Sequence, residues 1–338
     1  MEILFIYIIA VVIMYIVHIP IHELGHLFFG YLSGYRFNTF RLLSFVWYKD
    51  GGRVRFTRSK GVVLGQCLMD PPADEKDFKF VLYNLGGGLF NYAFGILTII
   101  LAYIIVFDNP ENRLLFMVLL TIGITGIFLA MANLIPMKPG GIPNDGCNIA
   151  AASKSKEAAR GFFTMLSVNS EFTQGKTFAD FEEGRFAVDD FADFDNYFVA
   201  YTLICEASRL FDTGEYERSF EQYKRLNPEA LPAYYRCGIK ADMITYYILF
   251  ENNYEKARLM YKDDKALRKF LNYKTPTIRK VLSLYEFYVN GDKAKGKKLL
   301  DETVKAAEIF PNPGIKKMVL DSCAMIAARY AEGDNLNG

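Results

Sequence analysis

Three long apolar runs constrain this 338-residue chain more than any other feature. From Ile3 to Val17 every residue is apolar or Tyr, and the run continues through Ile21 with only His18 and Pro20 interrupting. Two more follow, roughly Phe78 to Phe107 and Leu114 to Ile135. About 20 such residues cross the ~30 Å hydrocarbon core of a bilayer, so each run predicts a transmembrane helix. A cleavable signal peptide is the competing reading of the first run, but no basic segment precedes it and no small-residue cleavage site follows. Gly and Asn within the second and third runs suit helix-packing faces rather than lipid-facing ones.

Charge divides the chain at the same place. Residues 1–150 hold 11 Lys/Arg and 10 Asp/Glu, whereas the remaining 188 residues hold 28 of each. An apolar membrane core followed by a soluble region is the expected order. The net charge of +1 and the lack of a basic stripe argue against nucleic acid as a partner. Cys67, Cys147, Cys205, Cys237 and Cys323 are widely spaced and never form a C-x-x-C pair, which indicates neither a disulfide framework nor a thiolate zinc site. Eight Lys/Arg lie between Ser33 and Asp77, but only Arg113 lies in the second loop. The positive-inside rule therefore places the N-terminus outside and the C-terminal half in the cytoplasm.

All three histidines, His18, His22 and His26, fall within nine residues at a spacing that puts them on one helix face. Two of them frame His22-Glu23-Leu24-Gly25-His26. H-E-x-x-H on a helix offers two imidazoles one turn apart to a single Zn²⁺, and the intervening Glu can serve as general base. Ionisable groups at membrane depth persist with a partner or a task, which strengthens the motif here. A packed polar turn is the bland alternative. His18 reads as a packing or supporting histidine rather than a ligand, because a catalytic zinc keeps three protein ligands and this motif takes the third from a distant residue. Pro20 predicts a kink just before the site.

The third ligand must reach the same cytoplasmic edge of the membrane. Asp145 is the sole acidic residue between Glu111 and Glu157, and the topology brings it there. Asp145-Gly146 also starts a helical stretch, so a helix N-cap is the other reading, and the two roles are compatible.

With HELGH at 22–26, the Gly86-Gly87-Gly88-Leu89-Phe90-Asn91 element in the second run, and Asn133-x-x-Pro136 followed by Asp145-Gly146 at the third, the first 150 residues resemble the site-2 protease family of intramembrane zinc metalloproteases. The resemblance implies that His22, His26 and Asp145 bind Zn²⁺, that Glu23 is the general base, and that Asn91 and Asn133 line the substrate cleft. It also implies a substrate that is a single-span membrane protein or a signal-peptide remnant, cut near the cytoplasmic face of a bacterial cell membrane.

Phe40 to Tyr48, a Lys49-Asp50-Gly51-Gly52 turn and Arg53 to Thr57 predict a β-hairpin beside the first helix. It is either an edge strand able to pair with an unwound substrate or an ordinary surface hairpin. Beyond residue 150, turn-and-helix starts recur at Thr213-Gly214-Glu215-Tyr216, Glu251-Asn252-Asn253-Tyr254 and Asn290-Gly291-Asp292-Lys293, offset by 38 and 39 residues. They resemble tetratricopeptide-like repeats, whose stacked helix pairs create a peptide-docking surface. The expected fold is mainly α: a three-span transmembrane core with a membrane-proximal hairpin over 1–150, a linker with a helix over 151–194, and a soluble helical repeat domain over 195–338. The expected function is intramembrane zinc endopeptidase. The alternatives are a membrane-tethered helical-repeat adaptor with a structural or vestigial zinc site and, ranked lower, a membrane zinc protease of the other H-E-x-x-H lineage with a Glu as third ligand.

Overall fold

The computed structural model describes residues 14–108 and 111–335, with residues 8 and 12. The chain forms two compact units, Met1–Lys154 and Ser155–Gly338, and is mainly helical in both.

In the first unit, helix α1 runs Ile19–Leu32, followed by an antiparallel pair, β1 (Arg36–Asp50) and β2 (Arg53–Asp70), then by helices α2 (Phe80–Asp108), α3 (Arg113–Leu134) and α4 (Asp145–Ala152). Two helical stretches among the described residues, Glu75–Ile105 and Arg113–Leu134, are long and apolar enough to cross a membrane. Three spans were expected. The upstream part of the first, residues 3–13, lies largely outside the described residues, and its described continuation is α1, only 14 residues long. Leu97, Tyr103, Leu114 and Phe128 on α2 and α3 are each at least 60% exposed, a surface that water would penalise and lipid would not.

A kink was expected at Pro20; a π-helical turn, Met14–His18, lies directly ahead of α1. Pro20 itself sits in the first turn of α1, where no intrahelical N–H is required. Close helix approach is made by glycines. Gly25 of α1 and Gly86 of α2 meet backbone to backbone, and a Cβ on either Gly95 of α2 or Gly123 of α3 would lie 2.7 Å from the other's carbonyl oxygen. Small residues at such seams let helices gain van der Waals contact where lipid supplies no hydrophobic drive.

The hairpin is longer than its sequence signal. Gly51 and Gly52 close it at φ 54° and 82°, the doubly left-handed turn that Gly tolerates. The pairing then runs from Asp50↔Arg53 back to Arg36↔Asp70, with register shifts around Leu42, Leu43 and Phe45. Those irregularities break the strict alternation by which a strand is recognised.

In the second unit, α5 (Lys156–Thr173) packs on α6 (Tyr197–Asp212), with Phe162 and Phe198 stacked at 4.5 Å. Of the stretch 151–194, expected to be a linker with a helix, residues 155–194 fall within the second unit. Phe181 and Phe186 are buried with Val168, Phe172 and Cys205, and Arg185 holds the intervening loop by pairing with Glu171 and covering the Phe181 ring at 4.4 Å. Phe residues spread through an Asp-rich stretch give no periodicity, which is why this core was unreadable in one dimension.

Three helical hairpins follow: α6 with α7 (Tyr216–Lys224), α8 (Ala233–Leu249) with α9 (Tyr254–Asp263), and, after the short α10 (Lys265–Leu271), α11 (Pro276–Leu284) with α12 (Lys293–Glu308). Their second helices start at Tyr216, Tyr254 and Lys293, and the turns before them hold Gly214, Asn252 and Gly291 at φ 85°, 51° and 72°. Ile244, Leu267, Leu271 and Leu284 are fully buried between them, each stabilising the unit by about 1.5–3 kcal/mol. The last helix, α13 (Pro313–Asn335), packs against α5, α11 and α12. Its Gly314 abuts Phe172 at the end of α5, Ser322 accepts from Lys280 of α11 at 3.0 Å, and Tyr330 bonds Ser283 at 2.7 Å and stacks on Phe287 at 3.8 Å.

Candidate metal centre

Helix α1 places His22 and His26 one turn apart, and α4 brings Asp145 to them from the far end of the first unit. His22 Nε2 lies 3.2 Å and His26 Nε2 3.3 Å from Asp145 Oδ2, with the two Nε2 atoms 3.0 Å apart. These are the three groups among the described residues that converge as a metal site would require.

The protonation logic points to a cation. His26 Nδ1 donates to the Tyr83 carbonyl at 2.8 Å, which leaves the Nε2 of a neutral ring as a bare lone pair. His22 Nδ1 faces the Asn91 amide at 3.4 Å, and among the described residues the buried Asn91 Oδ1 makes no hydrogen bond of normal geometry, although the side chain also neighbours His18; turning that amide by half a turn gives Oδ1 the His22 ring N–H and leaves the Nε2 of His22 bare as well. Asp145 Oδ2 is buried without a hydrogen bond. Two lone pairs and a carboxylate oxygen so close repel one another unless a positive charge lies between them. Tetrahedral coordination at ~2.0 Å needs ligand atoms about 3.3 Å apart, and N, N, O donors suit zinc. The residues therefore fit the metal that the motif implies.

Asp145 is free for this role because Asn144 does the capping. The Asn144 side chain accepts from the amides of Cys147 at 2.9 Å and Met137 at 3.1 Å, and donates to the carbonyls of Ala132 and Ile135 at 2.8 Å each. The start of α4 is thereby tied to the end of α3. Gly146 lies so close to the Leu134 carbonyl that no side chain fits there.

Glu23, 8% exposed, sits beside the three ligands. Strand β2 closes over it. The backbone of Cys67 hydrogen-bonds its carboxylate, and Gly65 passes so near that a Cβ would fall 2.5 Å from Oε1. Gly87 of α2 has the same relation to His22, its virtual Cβ lying 2.5 Å from Nε2.

The other sequence candidates fall as follows. His18 is fully buried with Nε2 on the Ile122 carbonyl of α3 at 2.9 Å, and its ring also meets the Asn91 side chain that faces His22; it is not one of the three converging ligands. Asn91 is buried against His22. Asn133 is half-buried in the last turn of α3, its carbonyl against Gly146, and no hydrogen bond among the described residues ties its side chain to the ligands. Sequence reasoning missed the parts played by Gly65, Cys67, Tyr83, Gly87 and Asn144. Only Gly87 and Asn144 carried a signal, within motifs assigned to other residues.

No family model matches the chain, and neither the curated proteins nor the solved structures include a match.

Proposed function

We propose that the chain is an intramembrane zinc endopeptidase of the site-2 protease type, acting on single-span membrane proteins or signal-peptide remnants near the cytoplasmic face. The observation that carries this reading is the convergence of His22, His26 and an Asp145 oxygen whose near neighbours are those two ring nitrogens, directly beside a buried Glu23. Three protein ligands and one neighbouring carboxylate are the composition of a catalytic rather than a closed structural zinc site.

His22, His26 and Asp145 would hold the ion, which when bound supplies Lewis-acid polarisation of a scissile carbonyl and a more acidic water. Glu23 then takes the proton of the attacking water and returns it to the leaving amine nitrogen. Its hydrogen bond from β2 fixes the carboxylate's direction, and its burial keeps bulk water from competing for the proton. The two apolar helices and the uneven basic loops support membrane residence with the second unit cytoplasmic. The recurrence of helix pairs supports a tetratricopeptide-like second unit, as a partner-docking or regulatory module.

The test is zinc content of the detergent-purified chain together with cleavage of a transmembrane reporter. Glu23→Gln is expected to keep one zinc and lose cleavage by at least ~10²-fold, the usual contribution of a general base. Asp145→Asn and His22→Ala are expected to lose or loosen the metal. Full activity in Glu23→Gln would overturn the assignment, and zinc held by four protein ligands without exchangeable water would favour the adaptor.

A further inference from the structure

The geometry points to Tyr83 as the residue that positions the general base, a role that rests on the reading above. Tyr83, in the first turn of α2, is 6% exposed and belongs to neither H-E-x-x-H nor the third-ligand loop. Its hydroxyl donates to the Cys67 carbonyl at 2.8 Å, a buried bond from α2 to β2. Cys67 is the residue whose backbone bonds the Glu23 carboxylate. The main-chain carbonyl of Tyr83 meanwhile accepts from His26 Nδ1 at 2.8 Å.

One residue thus reaches both working groups by different atoms. Its backbone orients a ligand, and its side chain holds the strand that orients the base. The strand needs such a fastening. Gly65 is tight against Glu23, and the regular pairing that holds Gly65 to Cys67 is short, with register shifts on both sides of it, between Phe37 and Thr39 and again after Leu42. The Tyr83 ring is itself held by Tyr35, stacked at 4.8 Å and 18°.

Tyr83→Phe separates this role from packing, because it keeps the ring stack and the carbonyl that serves His26 and deletes only the bond to Cys67. Tyr35→Phe is the control, since the buried Tyr35 hydroxyl has no hydrogen-bond partner among the described residues. The full chain in detergent is read in two ways. In chelator-treated protein, amide exchange of the peptide spanning Cys67 is expected to quicken about five- to tenfold in Tyr83→Phe, the loss of one buried hydrogen bond, and to be unchanged in Tyr35→Phe. In zinc-loaded protein, Tyr83→Phe is expected to retain one zinc and an unaltered KM for the transmembrane reporter while kcat falls about tenfold.

Wild-type exchange and kcat in Tyr83→Phe would overturn the proposal. So would loss of zinc, which would make Tyr83 a support of the metal site rather than of Glu23. If the wild type binds zinc yet cleaves nothing, the endopeptidase reading falls and the positioning role with it, whereas faster exchange in that case would still identify the Tyr83–Cys67 bond as what holds β2.

Discussion

At the residue scale the site depends on atoms that are missing as much as on those present. A methyl group on Gly87 would overlap the His22 ring, 2.5 Å from Nε2 and 2.6 Å from Nδ1, and a retreat of α2 to make room would give up the close Gly25–Gly86 packing. Gly87→Ala is therefore expected to weaken zinc binding at least tenfold by displacing His22, as read by titration against a competing chelator. Gly238→Ala, at a position with open space, is expected to bind zinc as the wild type does. Asn91→Ala, which frees the far nitrogen of His22, is expected to cost 10- to 100-fold in metal affinity, the usual effect of removing a partner that orients a ligand. His22, Glu23 and His26 were legible because their relation is local, set by 3.6 residues per turn. Gly87 and Asn91 were visible only as members of a Gly/Asn element, and what each touches depends on how two helices cross.

At the element scale, the short helix α4 carries the third ligand, and Asn144 governs where it starts. Sequence left Asp145 open between ligand and N-cap. The structure gives the cap to Asn144, whose four hydrogen bonds anchor α4 to the end of α3 and turn Asp145 toward the histidines. Asn144→Ala is expected to cost about 1–2 kcal/mol in local stability and to loosen zinc, measurable as faster metal release to a chelator. Asn144→Asp keeps the two accepting bonds and loses the two donating ones, so it is expected to fall between. The hairpin shows the opposite case. Its Asp-Gly-Gly turn was plain in the sequence, but its reach from Arg36 to Asp70 was not, because bulges interrupt the period of two by which strands are read.

At the scale of the whole molecule, the two units respond to different variables. Zinc binds only the folded first unit in this reading, so chelation is expected to lower that unit's unfolding temperature and leave the second unit's unchanged. A metal at 100 times its Kd contributes about 2.7 kcal/mol. The second unit answers to pH instead. Burial would raise the Glu171 carboxyl, but the hydrogen bonds from Arg185 and Lys176 outweigh it and hold the carboxyl below its ordinary 4.5. The folded unit then binds fewer protons than the unfolded chain near and below that value, so this stabilisation is complete above pH 4.5 and is lost as pH falls through the folded value. Glu171→Gln is expected to lower the second unit's unfolding temperature at pH 7 and to flatten its decline on the acid side, read by thermal scans from pH 3 to 7. The same pair ties the loop around Arg185 to α5 within the second unit. Helix α13 shares a core with α8, α11 and α12, so the surface it covers is already filled by the chain itself.

By itself the sequence determined whatever depends on neighbours along the chain: apolar runs long enough to span a bilayer, two histidines and a glutamate on one helical turn, the Gly-Gly hairpin turn, and the starts of three second helices at Tyr216, Tyr254 and Lys293. These follow from helix period, strand period and turn chemistry, which act over a few residues. Only the tertiary structure decided that Asp145 meets His22 and His26 across more than a hundred residues, that Asn144 rather than Asp145 caps α4, that β2 lies against Glu23, and that Tyr83 reaches both Cys67 and His26. Those relations arise where whole elements touch, and glycines and buried hydrogen bonds set that contact without leaving a period in the sequence.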